Sequence, residues 1–335
     1  MAAVGALQLL SRGLVGGAAL LIAIMCTEQL PAATRAWAIG LMSLAGGLGV
    51  GIVLWFVPFL DAAPWVWRLE YAGCAVAGVI ALGTLRGVGE TDLFVHHAEA
   101  GAVLPRRTHL HLGRLIALGA VLFLLNVFVG PTQQLQADYL RVVHHYSGLK
   151  LALFMIGTNT WGFLGVAAGA VMADRRSRRL TAAAGLIGLA IGNGAMFATG
   201  GAPMWVASLL GSLLGALVIP SIGAAMPELF ATLRRGVSNG ILNAVAVVGG
   251  AVGLLVVGTN IGGTDYRSVI LPLALAPILG AAALMALPES AGASLEALND
   301  DAIPGAGRPA ADSTRPLPCP SGDPSTSSGN TPRPR

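Results

Sequence analysis

The chain has 335 residues, 55% of them hydrophobic and only 11% charged, with a mean hydropathy of +0.73. A soluble domain is about 25% charged, so a single aqueous core is excluded and most of the chain belongs in lipid. The net charge of +4 comes from short basic turns between apolar runs, which excludes a basic, aromatic-studded nucleic-acid surface.

A bilayer-spanning helix needs about 17 to 25 mostly apolar residues. Nine runs qualify, at about 4–26, 37–60, 69–87, 114–132, 148–172, 180–199, 203–226, 237–259 and 267–287. The fold class is therefore an all-α polytopic membrane protein. Residues 1–87 form a first group of three helices, 88–113 a polar central loop, 114–298 a group of six helices, and 299–335 a tail. From Ile303 the tail is rich in Pro, Ser, Gly and Thr and cannot bury enough apolar surface to order itself. No basic region precedes the first apolar run, so that run is read as a retained helix rather than a cleaved leader.

Arginine placement sets the expected orientation. Loops on the side of Arg35 hold eleven arginines, among them Arg106, Arg107, Arg175, Arg176, Arg178, Arg179, Arg234 and Arg235. The opposite loops hold four basic residues, Arg68, Arg141, Lys150 and Arg267. The first side is the cytoplasmic one in a cell membrane, with the N-terminus outside and the tail inside.

Chemistry-bearing motifs are few. No phosphate loop of the G-x-x-x-x-G-K-[ST] type is present, so no nucleotide is expected to act directly. No nucleophile-and-base pair points to an enzyme, and no cofactor is implied. Cys26, Cys74 and Cys319 lack metal or disulfide spacing. His96-His97 and His109-x-His111 share the central loop without cysteine support for a metal site, and His144-His145 lie outside, where they can sense pH.

Two charged turns repeat. Glu28 and Arg35 in E-Q-L-P-A-A-T-R recur as Glu228 and Arg235 in E-L-F-A-T-L-R-R, an offset of 200. Arg68 answers Arg267, and Glu90 answers Glu289, each 199 apart. A pattern recurring across apolar segments at fixed spacing signals a duplicated fold. The second copy places four spans before its Glu228 turn, whereas the first has room for one before Glu28. Roughly three spans of a full duplication are missing.

Arg12 lies about eight residues into its helix, so about 12 Å deep. A lone arginine at membrane depth costs at least ~2.5 kcal/mol unless it is paired or wet. No acid is placed mid-membrane to pair with it, since Glu70 and Asp138 lie near outer helix ends. Snorkelling to the outer surface is the alternative.

Several motifs are similar to those of the major facilitator superfamily, most closely its sugar-porter and metabolite-symporter branches. Ala170 to Arg179 (A-V-M-A-D-R-R-S-R-R) resembles the loop signature G-x-L-A-D-R-x-G-R-R: Asp174, Arg175, Arg178 and Arg179 match, and Ala170 and Ser177 replace the glycines. Glu228, Thr232, Arg235 and Gly236 match E-x-x-P-T-x-x-R-G, with Ala231 in place of proline. Glu28, Pro31 and Arg35 match its first-half form. Trp67-Arg68 resembles the W-R pair before helix six. Leu287 to Leu295, containing Glu289, resembles L-P-E-T-x-G-x-x-L. Arg12-x-x-x-Gly16 resembles a helix-four motif.

The resemblance implies an incomplete twelve-helix fold beginning at helix four, with a complete C-terminal six-helix bundle. It implies secondary active transport of a small polar solute, a sugar or organic acid, by alternating access with proton coupling. Arg12 would serve coupling beside a carboxylate on the absent first helix. Asp174 with its arginines and Glu228, Arg234 and Arg235 would form a cytoplasmic latch, joined by Glu28, Arg35 and Glu289. The other reading of the basic residues is a positive-inside anchor. Asn126, Asn159, Trp161 and Asn243 are the candidate solute ligands, since neutral amides and an indole suit a neutral polar solute. Each amide alone also fits an interhelical hydrogen bond. Gln133-Gln134 resembles the paired glutamine of sugar porters but falls too close to the predicted outer end of its helix. A truncated, non-transporting remnant or a membrane interaction protein is the alternative function.

Overall fold

The computed structural model describes residues 2–31, 34–54, 65, 67–85, 112–230, 232–261 and 265–290. The central-loop histidines, Glu90 and the tail lie outside the described residues. Among those described, nine helical segments occur and no strand. They are α1 Ala2–Gln29, α2 Arg35–Leu54, α3 Trp67–Leu85, α4 Leu112–Val142, α5 Gly148–Arg175, α6 Arg178–Ala198, α7 Gly201–Glu228, α8 Thr232–Asn260 and α9 Tyr266–Leu284. α5, α7 and α9 each bend at an interior turn, at Thr160, at Ala216-Leu217 and at Ala274. Six helices, α4 to α9, are long and apolar enough to cross a membrane.

The helix bounds reproduce the repeat. Moving α3 forward by 199 residues gives Tyr266–Leu284, the bounds of α9. Moving α1 forward by 199 residues likewise gives Gly201–Glu228, the bounds of α7, one residue short of the offset of 200 between Glu28 and Glu228.

One helix outruns its prediction. α4 does not end near 132 but continues to Val142, through Pro131. Proline has no N–H, so the carbonyl of Val127 loses its partner within the helix. Val127 O instead abuts α8 at Gly253, where a Cβ would come within 2.1 Å of it. Thr132 Oγ1 donates to Phe128 O at 2.8 Å and holds the next turn. Glycine is thus required at 253, and α4 and α8 pack closely along it.

The C-terminal bundle has two cores. One, around Leu118, Leu186, Ile222, Leu242 and Leu284, joins α4, α6, α7, α8 and α9. The other, around Phe128, Phe154, Met196, Met204 and Ile270, fills the opposite end. α2 packs on α5 and α7 through Ala36, Ile39, Ala173 and Ala224, which ties the first half to the second. Every described side chain of α3 is exposed, by contrast, as are Leu7, Leu10, Leu14 and Val15 of α1.

Candidate functional site

Helix ends supply the chemistry here. α5 runs to Arg175, and Ser177 starts α6 by accepting from Leu180 N with its side chain. This tight turn carries Asp174 and Arg178 on either side of the chain reversal. Both Asp174 oxygens accept backbone N–H bonds from the first turn of α2, from Ala36 at 3.2 Å and Trp37 at 3.0 Å. Asp174 thus sits at the N-terminus of α2. A carboxylate there satisfies orphan donors and complements the helix dipole.

Glu228 closes α7 and is fully buried. Its Oε1 accepts from Arg35 Nη1 at 3.2 Å, and its Oε2 pairs with Arg178 Nη1. Arg178 reaches back to Asp174 Oδ1 through Nη2 at 3.3 Å. Arg35 also donates from Nε to Leu30 O at 3.1 Å. The four charges balance, two carboxylates against two guanidinium groups, and all four side chains are at most 8% exposed. A buried ion costs several kcal/mol unless it is paired and hydrogen-bonded, and these are both.

Glu289 extends the network beyond α9. It accepts from Arg178 N at 3.0 Å and from Ser177 Oγ, and it lies 3.5 Å from Arg179 Nε. Arg179 Nη1 also donates to Leu287 O at 2.7 Å. Arg235 is fully buried and donates from Nε to Pro227 O at 2.7 Å. Arg175 is exposed at the end of α5. The side chains of Arg12 and Glu28 lie outside the described residues.

The sequence reading pairs the Asp174 loop with Glu228, Arg234 and Arg235 and adds Glu28, Arg35 and Glu289 to the same latch, without assigning Arg35 a partner. Arg35 crosses to Glu228, 193 residues away, so the tie joins the two halves.

The proposed solute ligands stand apart from this network. Asn126 is half-buried in α4 and donates from Nδ2 to Leu122 O at 2.9 Å, within its own helix. Asn159 and Trp161 flank the α5 bend and are exposed, and the Asn159 carbonyl accepts from Ser212 Oγ at 3.5 Å. Asn243 is half-buried on α8 against α1, with its Nδ2 3.2 Å from where a side chain at Gly16 would begin. Among the described residues no hydrogen bond joins the four. The longer α4 removes the reason for setting aside Gln133 and Gln134. They lie well inside that helix, are exposed, and Gln133 shares a face with Asn126 seven residues earlier.

The opposite end of the C-terminal bundle is aromatic. Tyr139 Oη donates to Phe197 O at 3.4 Å and meets His144 Nε2 at 3.1 Å. Trp205 Nε1 donates to Tyr146 Oη at 3.3 Å, and Lys150 Nζ lies 4.1 Å from the Tyr146 ring centre. Burial, then Lys150 and His145, lower the pKa of His144 below its ordinary 6.5.

No family model matches the sequence, and no curated protein matches it. Among solved structures the chain is similar to the MFS (major facilitator superfamily) proton:xylose symporter XylE bound to 6-bromo-6-deoxy-D-glucose. The match has a TM-score of 0.70 at 16% identity and covers 85% of this chain and 71% of that one. Together with the duplicated helices and six spanning segments, this shows a multi-pass membrane protein built, over part of its length, on the fold of the major facilitator superfamily.

Proposed function

We propose that this chain belongs to a secondary transporter that moves a small polar solute by alternating access, with Asp174, Arg178, Glu228 and Arg35 as its cytoplasmic latch. The observation that carries the reading is the buried tie between the halves. Charge-assisted hydrogen bonds that join two bundles at one end, and are satisfied only when that end is shut, bias a rocking equilibrium. The solved neighbour is itself a proton:xylose symporter, which favours a sugar-like solute and a proton. Asn126, Asn159, Trp161 and Asn243 are the proposed solute contacts, and Gln133 and Gln134 join them on the strength of the longer α4.

The test of the latch is Asp174→Asn. The substitution removes one charge from the network and weakens the cap on α2. Accessibility of a single cysteine introduced beside the latch should rise, because the end opens more often. Unchanged accessibility together with unchanged solute response would sink the latch. A thermal-stabilisation panel of sugars and organic acids tests the solute class. Stabilisation by one class that is lost in Gln133→Ala or Asn126→Ala supports the assignment. The reading of a non-transporting interaction protein draws on a different observation, the exposure of α1 and α3.

A further inference from the structure

Two helices, α2 and α8, begin at corresponding places in the repeat and bury different chemistry. At the offset of 200, Thr34, Arg35, Ala38, Ile39 and Ser43 answer Arg234, Arg235, Ser238, Asn239 and Asn243. Each helix also closes a seam with the other half. α2 packs on α7, where Ile39 Cγ2 lies 2.8 Å from where a Cβ on Gly223 would stand. α8 packs on α1, where Asn243 Nδ2 lies 3.2 Å from where a Cβ on Gly16 would stand. Gly223 is the counterpart of Ala23, which shares the Gly16 face of α1 seven residues further on. The two seams therefore occupy corresponding positions.

The α2 seam is dry and its polar groups are matched. Ile39 lies in an apolar core with Ala36, Ala173 and Ala224. Arg35 is bound to Glu228 and to Leu30 O, Thr34 Oγ1 donates to Pro31 O at 3.2 Å, and Ser43 Oγ donates to Ile39 O at 2.9 Å. The start of α8 is the reverse. Ser238 and Asn239 stand where α2 has Ala38 and Ile39, and both are at most 1% exposed. Among the described residues, Arg234 Nε, Ser238 Oγ and Asn239 Oδ1 are buried with no hydrogen-bond partner. A buried polar group without a partner carries its full desolvation penalty. Closure of this end imposes that penalty on the α8 seam and spares the α2 seam.

We infer that the latch end opens in two steps, first along the seam between α1 and α8 and last along the α2 seam, and that Ser238 and Asn239 set how readily the first step occurs. Water entering between α1 and α8 hydrates three orphaned groups, so the first step relieves a penalty. Opening the α2 seam exposes an apolar core and breaks the tie of Arg35 to Glu228, so that step comes second. Arg235, Asn239 and Asn243 recur every four residues and share one face of α8. The first step therefore lets water reach the proposed solute contact Asn243 while the latch still holds. The inference rests on the alternating-access reading and goes beyond it by giving the two seams an order.

The test uses the full 335-residue chain with Cys26→Ala, Cys74→Ala and Cys319→Ala, in open membrane fragments so that both faces are reached. Ala23→Cys reports on the α1–α8 seam and Ala224→Cys on the α2 seam, and the probe is a membrane-impermeant maleimide. Ser238→Ala with Asn239→Val removes two orphans and should slow labelling of Ala23→Cys roughly tenfold, the factor that about 1.4 kcal/mol supplies. Ser238→Ala alone, which adds no volume, should slow it less and in the same direction. Asp174→Asn should speed labelling of Ala224→Cys by a larger factor than that of Ala23→Cys. Unchanged labelling of Ala23→Cys in both α8 variants overturns the inference. So do equal changes at the two reporters in every variant, which is one concerted step and leaves the transport reading intact. No labelling of either reporter in any variant, Asp174→Asn included, overturns both. Thermal unfolding of each variant against the cysteine-free chain confirms that it is folded.

Discussion

Glu228→Gln is the sharpest test of the buried network. The substitution preserves side-chain volume and one acceptor oxygen but removes the charge that faces two guanidinium groups. At the 3.2 Å separation from Arg35 the gross attraction is about 5 kcal/mol with an effective dielectric constant of about 20. Desolvation offsets much of that in the intact pair, but it is not recovered when only one partner is neutralised. Arg178 keeps Asp174, and Arg35 keeps the Leu30 carbonyl, so the loss is partial. Breaking a buried pair costs about 3 to 5 kcal/mol, and the lower end applies here. Unfolding by SDS titration in mixed micelles, followed by tryptophan fluorescence, measures it. Arg35→Met alone and the double variant complete a thermodynamic cycle with an expected coupling of about 1 to 3 kcal/mol. Because the pair is buried, the coupling should hardly change between low and high salt. A cost below ~0.5 kcal/mol for Glu228→Gln, or additivity within ~0.5 kcal/mol, would refute the claim that Arg35 and Glu228 are bound to each other.

Other consequences follow from the same geometry. Gly165→Ala places a Cβ 2.0 Å from Leu213 O and must separate α5 from α7, so it should cost about 1 to 3 kcal/mol in the same titration, whereas Gly258→Ala meets nothing within 4 Å and should be neutral or slightly stabilising. Ser177→Ala removes the cap of α6 and a partner of Glu289, and should lower stability by about 1 kcal/mol. His144 has a folded pKa below its ordinary 6.5, so the unfolded chain binds this proton more readily. Its contribution to stability is complete above about pH 6.5 and is lost as the pH falls through the lowered value; His144→Gln should flatten that acid limb of a melting-temperature profile, and an unchanged limb would contradict the assignment.

Much of this protein was legible in the sequence because the bilayer imposes a length. Continuous apolar runs of about 17 to 25 residues become helices, because a helix of that length spans the bilayer and satisfies its backbone hydrogen bonds within itself. Their positions, the turns between them and the duplication at offsets of 199 and 200 therefore follow from spacing alone, and the helix bounds agree. What spacing cannot determine is partnership between distant ends. Arg35 and Glu228 are 193 residues apart and meet only because α2 packs on α5 and α7. The end of α4 differs for a similar reason. The apolar run stops near 132, where Gln133, Gln134, Gln136 and Asp138 follow, but the helix continues to Val142 through Pro131, whose freed carbonyl partner at Val127 is accommodated by Gly253 on another helix. That continuation returned Gln133 and Gln134 to consideration.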